Sequence, residues 1–315
     1  MKLIVIIPAY NEEVSIGRVI RKIPKLNGRI NKTKVIVVDD GSSDNTAEVA
    51  KKAGAIVISH GKNKGVGMAF RTGIETALKR KADVIVNVDA DGQFNPEDIP
   101  KLIEPILDDK ADFVTATRFK DGHLIGKMPF IKKIGNKMFT SLTSTLVGQK
   151  FTDTQCGFRA YNREAALRLN LYGRFTYTQE VFLDLAHKGL RIMEVPLYVR
   201  AVREHGKSKV VRSLFKYALQ ALTIIIRSIR DYKPLAFFGV IGGLVFGFGG
   251  LIDLVLFIRW LVTGAVSPYA TLVLVGIVFI IVGFILLVLA LIADMLDRQR
   301  RIEEDLLYYK KKEML

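Results

Sequence analysis

The chain has 315 residues, with 47 Lys and Arg against 31 Asp and Glu, a formal net charge of +16 and a mean hydropathy of +0.24. Half of the residues are hydrophobic, so far too much of the chain can be buried for it to be disordered. The single cysteine, Cys156, excludes a disulfide scaffold and reads as a small core residue.

In chain order, Lys2–Pro8 reads as an apolar strand and Asn11–Lys25 has helical spacing, with Val14, Ile16, Val19, Ile20 and Ile23 on one face. Lys34–Val38 is a second strand ending in Asp39-Asp40-Gly41. Ser43–Ala53 is a second helix, capped by Ser43 or Asp44. Ala55–Ser59 is a third strand, Gly67–Lys79 a third helix, and Val84–Val88 a fourth strand ending at Asp89. Short strands alternating with helices indicate βαβ units and a mostly parallel sheet, and continuous Val/Ile runs fit strands covered on both faces. The Leu3–Ala9 run is too short for a signal peptide and continues into a polar loop.

Ligands of open α/β sheets bind beyond the carboxyl ends of the strands. The polar residues fall there: Pro8-Ala9-Tyr10-Asn11-Glu12 after strand one, Asp39-Asp40 after strand two, and Asp89-Ala90-Asp91-Gly92-Gln93 after strand four. Asp89-x-Asp91 can point two hard carboxylates into one site, the donor set preferred by Mg²⁺ or Mn²⁺, with Gln93 as a further oxygen. Gly65-Val66-Gly67-Met68-Ala69 reads as a tight turn with close helix packing. The four histidines show no metal-ligand spacing, and no nucleophile elbow is present.

The apolar excess lies near the C-terminus. Pro234–Ile252 is nineteen residues without a charge, and Leu261–Ala293 is a second uncharged run. The 24 residues from Ala270 span about 36 Å as a helix, enough for a bilayer core. Two transmembrane helices, about 234–260 and 269–293, are expected within 234–293, with Asp253 and Arg259 near the outer boundary. Arg200–Lys233 holds nine basic and two acidic residues, and Arg298, Arg300, Arg301 and Lys310–Lys312 follow the second helix. The positive-inside rule then sets a multi-pass cell-membrane protein whose catalytic part and both termini are cytoplasmic. Arg118–Lys150 carries a further seven basic residues against one acidic. Lys127–Val147 and Val211–Lys233 mix these charges with apolar residues at helical spacing, the pattern of helices on an anionic bilayer surface. Nucleic acid is excluded as the partner of this positive charge because the charge adjoins bilayer-spanning helices.

Six spaced segments carry a resemblance: IIPAYNEE (6–13), VVDDGSSDNT (37–46), NKGVGMAFRTG (63–73), VDADGQ (88–93), DTQCGFRAYNREA (153–165) and EVPLYVRAVREHGKSKV (194–210). In these the chain resembles a family 2 glycosyltransferase of the GT-A fold, in the polyprenyl-phosphate glycosyltransferase group that includes dolichyl-phosphate mannose synthase. The resemblance implies an α/β Rossmann-like catalytic domain over 1–210 containing an interface helix at 127–148, a juxtamembrane amphipathic helix at 211–233, the membrane hairpin, and a cytoplasmic tail at 294–315. It also implies residue roles. Pro8, Tyr10, Glu12, Val38 and Asp40 would hold base and ribose; Asp89, Asp91 and Gln93 the metal, with Ala90 touching the nucleotide. Arg118, Lys132 and Asn136 would meet the acceptor phosphate, and Arg203 and Lys209 a diphosphate or phosphate. Asp153 would act near the sugar, so that Asp91, Asp153 and Arg118 form the catalytic group.

The expected reaction is inverting transfer of one hexose from GDP-mannose or UDP-glucose to a polyprenyl (dolichyl) phosphate at the cytoplasmic membrane face. The acceptor is already ionised, so positioning and leaving-group stabilisation should dominate. Gln179-Glu180-Val181-Phe182-Leu183 lacks the Gln-x-x-Arg-Trp of processive relatives, which fits a single transfer. Three alternatives stay open: extension of a lipid-linked saccharide, with Asp153 or Glu180 as base; a non-catalytic nucleotide-sugar scaffold; and a nucleotidyltransferase, which would want a glycine-rich loop after strand one. The sugar, the lipid length and any oligomeric state are not legible.

Overall fold

The computed structural model describes residues 1–119, 124–125, 130–170, 177–200, 226, 230 and 233–315. Among the described residues there are nine strands: β1 (Lys2–Ala9), β2 (Lys32–Asp39), β3 (Ile56–Ser59), β4 (Val84–Asn87), β5 (Phe113–Thr117), β6 (Leu124–Ile125), β7 (Arg159–Asn162), β8 (Ile192–Pro196) and β9 (Val199–Arg200). Between and after them come α1 (Glu13–Arg21), α2 (Thr46–Lys52), α3 (Val66–Lys79), α4 (Ile99–Leu107), α5 (Phe130–Val147), α6 (Arg163–Arg168), α7 (Tyr177–His187), α8 (Pro234–Thr263) and α9 (Ala270–Met314). The chain divides into two units, Met1–Leu214 with Leu307–Leu315, and Phe215–Leu306.

The first unit is built on a seven-stranded sheet in the order β3-β2-β1-β4-β7-β5-β8, while β6 and β9 pair separately. Strand β1 has no polar face because it is covered twice. Leu3, Val5 and Ile7 join the apolar cluster that includes α1 and α4 residues. Ile4 and Ile6 join the opposite cluster, with Phe70 and Ile74 of α3. The period of two thus divides one hydrophobic run between two cores.

All described pairings in the sheet are parallel except those of β7, which runs antiparallel between β4 and β5. Its first residue, Arg159, lies opposite Asn87 of β4 and Thr115 of β5. The reversed strand therefore delivers the segment before it, 152–158, to the same edge at which β1, β2, β4 and β5 end.

Helix α1 is shorter than its periodicity predicts. Asn11 takes a φ of 55° and is held by Ser42 and Ser43, which delays the start. Pro24 disfavours helix in the residue before it, and the helix stops at Arg21. Helix α2 starts at Thr46 rather than Ser43. Ser43 spends its N–H and hydroxyl on Asn11, and Asp44 turns the chain by accepting from the Thr46 N–H at 3.0 Å.

The second unit contains α8 and α9 up to Leu306. Both helices are long and apolar enough to cross a membrane, and only 17% and 11% of their most apolar windows are buried. They meet along glycines: a Cβ at Gly249 would lie 2.6 Å from the Gly276 carbonyl oxygen, so the backbones touch where side chains are missing. Asp253 lies against Gly276, and the Arg259 guanidinium sits 4.9 Å from the Tyr269 ring centroid. The aspartate thus packs between the two helices, toward the end joined by the 264–269 turn.

Residues 294–315, expected as a tail, continue α9, which is 45 residues long. Its last turns belong to the first unit. Tyr308 is 6% exposed and donates to Glu164 at 2.9 Å, with Arg168 4.3 Å from its ring centroid. Lys311 donates to the carbonyls of Leu167 and Leu169 and to Asn170 Oδ1 at 3.3, 2.9 and 2.8 Å, capping the end of α6.

Candidate active site

The loops after β1 and β2 are stitched side by side. Asn11 N–H donates to Ser42 Oγ at 2.9 Å, Glu12 N–H to Thr46 Oγ1 at 2.8 Å, and Asp40 N–H to the Ala9 carbonyl at 2.8 Å. Pro8 and Val38 are buried at this rim, Tyr10 is 37% exposed, and Glu12 accepts from the Ser15 hydroxyl at 3.0 Å. Asp40 is 3% exposed. Its Oδ1 accepts from Lys64 N–H at 3.0 Å and lies 2.7 Å from His60 Nδ1, and its Oδ2 accepts from Gly65 N–H at 2.8 Å. The structure therefore gives Asp40 a scaffolding task in fixing the 60–65 turn. Gly65, at φ 96°, precedes the first turn of α3.

Asp89, Ala90 and Asp91 follow β4. Asp91 is 4% exposed and accepts the Gln93 N–H at 3.0 Å. The Gln93 amide nitrogen donates to the Arg200 carbonyl at 2.9 Å, and Arg200 N–H returns a bond to Gln93 O at 3.0 Å, so β9 holds this loop. Gln93 Oε1 takes no part in these bonds. Gly157 lies against Asp89: a Cβ there would be 2.6 Å from Asp89 Oδ2. The missing side chain leaves the carboxylate its space. Among the described residues no three His, Cys, Asp or Glu converge, so a metal would receive only these two carboxylates from such side chains. That donor set fits a hard divalent ion that takes its remaining ligands from water and phosphate. A cavity of about 400 Å³ opens on the α1 flank of the loop, between Arg18, Lys22, Gln93, Asn95 and Arg200; Asp89, Asp91 and Arg118 do not line it.

Arg118 leaves the carboxyl end of β5 and meets Asp153, which is fully buried. Asp153 Oδ2 accepts from Arg118 Nε at 2.5 Å and from its N–H at 3.2 Å, while Oδ1 accepts from Arg118 Nη2 at 2.9 Å and from Gln155 N–H at 3.2 Å. Burial by itself would lower the Arg118 pKa. The hydrogen bonds and charge of Asp153, with smaller contributions from Cys156 and Asp89, outweigh it and hold the guanidinium above its ordinary value. Arg118 Nη1 takes no partner among the described residues.

The 152–157 loop is fastened on three sides. Asn87 Nδ2 donates to Gly157 O at 2.7 Å. The fully buried Arg159 donates to Cys156 O and Thr154 O at 2.7 and 2.9 Å, with its guanidinium 5.0 Å from the Phe182 ring centroid. Glu194 of β8 accepts from both Thr152 and Asp153. Helix α5 packs over the same loop, since Thr154 N–H donates to Thr140 Oγ1 at 3.3 Å. Asn136, one turn earlier, is 3% exposed with an Oδ1 that lacks a partner among the described residues.

Asp89, Asp91, Arg118 and Asp153 are thus brought together at one sheet edge, with the Pro8–Glu12 and Val38–Asp40 loops on the same rim. Arg203 and Lys209, and the side chains of Lys132 and Glu180, lie outside the described residues. Sequence reasoning assigned no role to Arg159, Asn87 or Glu194; the only available signal was that Arg159 and Glu194 fall inside the segments 153–165 and 194–210 that carry the resemblance.

Residues 4–169 match the pattern described as glycosyl transferase family 2. The chain belongs to that family. This glycosyltransferase is 36% identical over 212 residues to the UDP-N-acetylglucosamine–dolichyl-phosphate N-acetylglucosaminyltransferase of Methanococcus voltae, covering 61% of this chain and 83% of that one. It is 29% identical over 232 residues to the polyprenol monophosphomannose synthase of Mycolicibacterium smegmatis, covering 69% and 84%. Glucosyl-3-phosphoglycerate synthase from Mycobacterium tuberculosis, solved with Mn²⁺, UDP and glucosyl-3-phosphoglycerate, has the same GT-A fold. The TM-score is 0.56 at 23% identity, over 73% of this chain and 79% of that one.

Proposed function

We propose that this glycosyltransferase moves a single hexose from a nucleotide diphosphate sugar, of GDP-mannose or UDP-glucose type, to a polyprenyl or dolichyl phosphate at the cytoplasmic face of a membrane, with inversion. The observation that carries the reading is the Arg118–Asp153 pair. All four acceptor directions of Asp153 are filled, three by Arg118 and one by Gln155, so this carboxylate has no lone pair left to take a proton. An acceptor hydroxyl would have to turn to another base, such as Glu180; an acceptor phosphate needs none, and Arg118 is a planar, permanently charged fork suited to phosphate. The relatives named above as dolichyl- and polyprenyl-linked enzymes support the same acceptor class.

In this mechanism Asp153 keeps Arg118 aimed, and Arg118 holds the acceptor phosphate so that its ionised oxygen attacks the anomeric carbon in line. Lys132 and Asn136 are assigned to the same phosphate, and Arg203 and Lys209 to the departing diphosphate. Pro8, Tyr10, Glu12, Val38, Asp40 and Ala90 border the nucleotide. Asp89 and Asp91, with Gln93, would hold Mg²⁺ or Mn²⁺, which supplies neutralising charge to the leaving diphosphate.

The return of Leu307–Leu315 to the first unit supports the proposed topology. Both ends of the hairpin join one folded body, as two crossings require, and the basic flanks favour the cytoplasm for that body. The test incubates membranes with labelled GDP-mannose, UDP-glucose and UDP-N-acetylglucosamine, polyprenyl phosphate, and Mg²⁺, Mn²⁺ or chelator. Label that enters organic solvent and is released by mild acid is the expected product. Transfer only when a lipid-linked saccharide replaces the polyprenyl phosphate overturns the reading.

A further inference from the structure

We infer that Glu194 is a positioning residue that sets the Arg118–Asp153 pair and thereby the affinity for the acceptor phosphate; the second half of this statement rests on the reading of Arg118 given above. Glu194 lies on β8, opposite Thr115 in the parallel pairing with β5, two residues from the strand end that carries Arg118. It touches neither of the D-x-D carboxylates through any described bond. Its whole carboxylate is turned onto the 152–153 backbone. Oε1 accepts from Thr152 N–H at 2.9 Å and from Asp153 N–H at 2.8 Å, and Oε2 accepts from Thr152 N–H at 2.9 Å and from Thr152 Oγ1 at 3.0 Å.

These bonds impose a direction. Thr152 has one hydroxyl proton. Giving it to Glu194 makes Thr152 Oγ1 the acceptor for Thr117 Oγ1, 2.5 Å away. Thr117 Oγ1 in turn accepts from Phe119 N–H at 3.4 Å, so the residues on both sides of Arg118 are tied to the loop that carries its carboxylate partner. One anion on β8 thus fixes both members of the pair: Asp153 through its backbone N–H, and the Arg118 backbone through the two threonines. An amide at 194 has a single acceptor oxygen and presents N–H groups to the N–H groups of Thr152 and Asp153. The carboxylate is therefore what the geometry requires, and charge-assisted bonds of this kind are the strong ones.

The experiment compares Glu194→Gln, Glu194→Asp and Arg118→Lys, and combines the first with the third, in detergent-solubilised full-length enzyme. Acceptor KM, kcat, nucleoside diphosphate affinity and Tm are measured for each. Positioning errors of about 1 Å cost on the order of a hundredfold, so Glu194→Gln should raise acceptor KM by ~10-fold or more. Nucleotide affinity should stay within about twofold, Glu194→Asp should fall between wild type and Glu194→Gln, and Glu194→Gln should add less than about threefold on the Arg118→Lys background. Equal loss of donor and acceptor affinity, an unchanged acceptor KM, or independent effects that multiply in the double variant overturn the inference. If the two substitutions are coupled but both act on donor parameters, the coupling stands and the assignment of Arg118 to the acceptor falls. Should Glu194→Gln fail to fold, Thr152→Val removes only the hydroxyl relay. A rise confined to acceptor KM in that variant supports the inference, and an unchanged acceptor KM overturns it.

Discussion

Asp153 and Cys156 lie three positions apart on one loop and are both fully buried, but they differ in their partners. Asp153 is compensated by Arg118 and stays useful as an anchor. For Cys156 burial dominates, the charge of Asp153 adds to it, and the thiol is pushed up to about 12. Native enzyme at pH 8 should therefore leave Cys156 unlabelled by maleimide over hours, with stoichiometric labelling only after denaturation. Asp153→Asn should raise the acceptor requirement more than it lowers kcat, and steady-state kinetics with varied acceptor separates that pattern from loss of a base. A third residue-scale prediction concerns acid. Hydrogen bonds from Arg191 hold the Asp112 carboxyl below its ordinary value of 3.8. A depressed carboxyl stabilises the fold above the unfolded value, and that contribution is lost as pH falls through the folded one. Asp112→Asn should accordingly flatten the decline of Tm below pH 3.8 while lowering Tm at neutral pH. Arg191 is half exposed, so the effect should be modest.

At the level of elements, the βα alternation and the carboxyl-end rim were legible because a doubly covered strand writes itself as an unbroken apolar run. The antiparallel β7 was not. Four residues, Arg159–Asn162, have no periodicity to read, and their direction is decided by pairing with β4 and β5 rather than by local preference. That one reversal is why Asp153 and Gly157 stand beside Arg118 and Asp89. Helix boundaries moved for equally local reasons, as Asn11 and Asp44 took hydrogen bonds across loops that no single segment reveals. Gly157→Ala tests the element arrangement. Its Cβ would stand 2.6 Å from Asp89 Oδ2, so the carboxylate or the β7 approach must shift, and turnover should fall by about a hundredfold. The circular dichroism spectrum should stay unchanged.

For the whole molecule, composition and charge predict a membrane hairpin, and the apolar, mostly uncovered α8 and α9 fit it. They could not place the end of α9, because amphipathic residues past a span read equally well as a solvated tail. Tyr308 and Lys311 instead complete the first unit. Removing a buried aromatic of this size costs about 3 kcal/mol or more. Tyr308→Ala, or deletion from Leu307 onward, should lower Tm by several degrees and open the Phe70–Ile74–Leu169 groove to limited proteolysis.

That arrangement also orders events during synthesis. Residues 307–315 leave the ribosome only after both apolar helices have been made, so the patch formed by Phe70, Ile74, Leu78 and Leu169 waits uncovered until these last residues emerge. Sealing of the globular body is then a late step, and a chain stalled before residue 307 is one for a chaperone to hold.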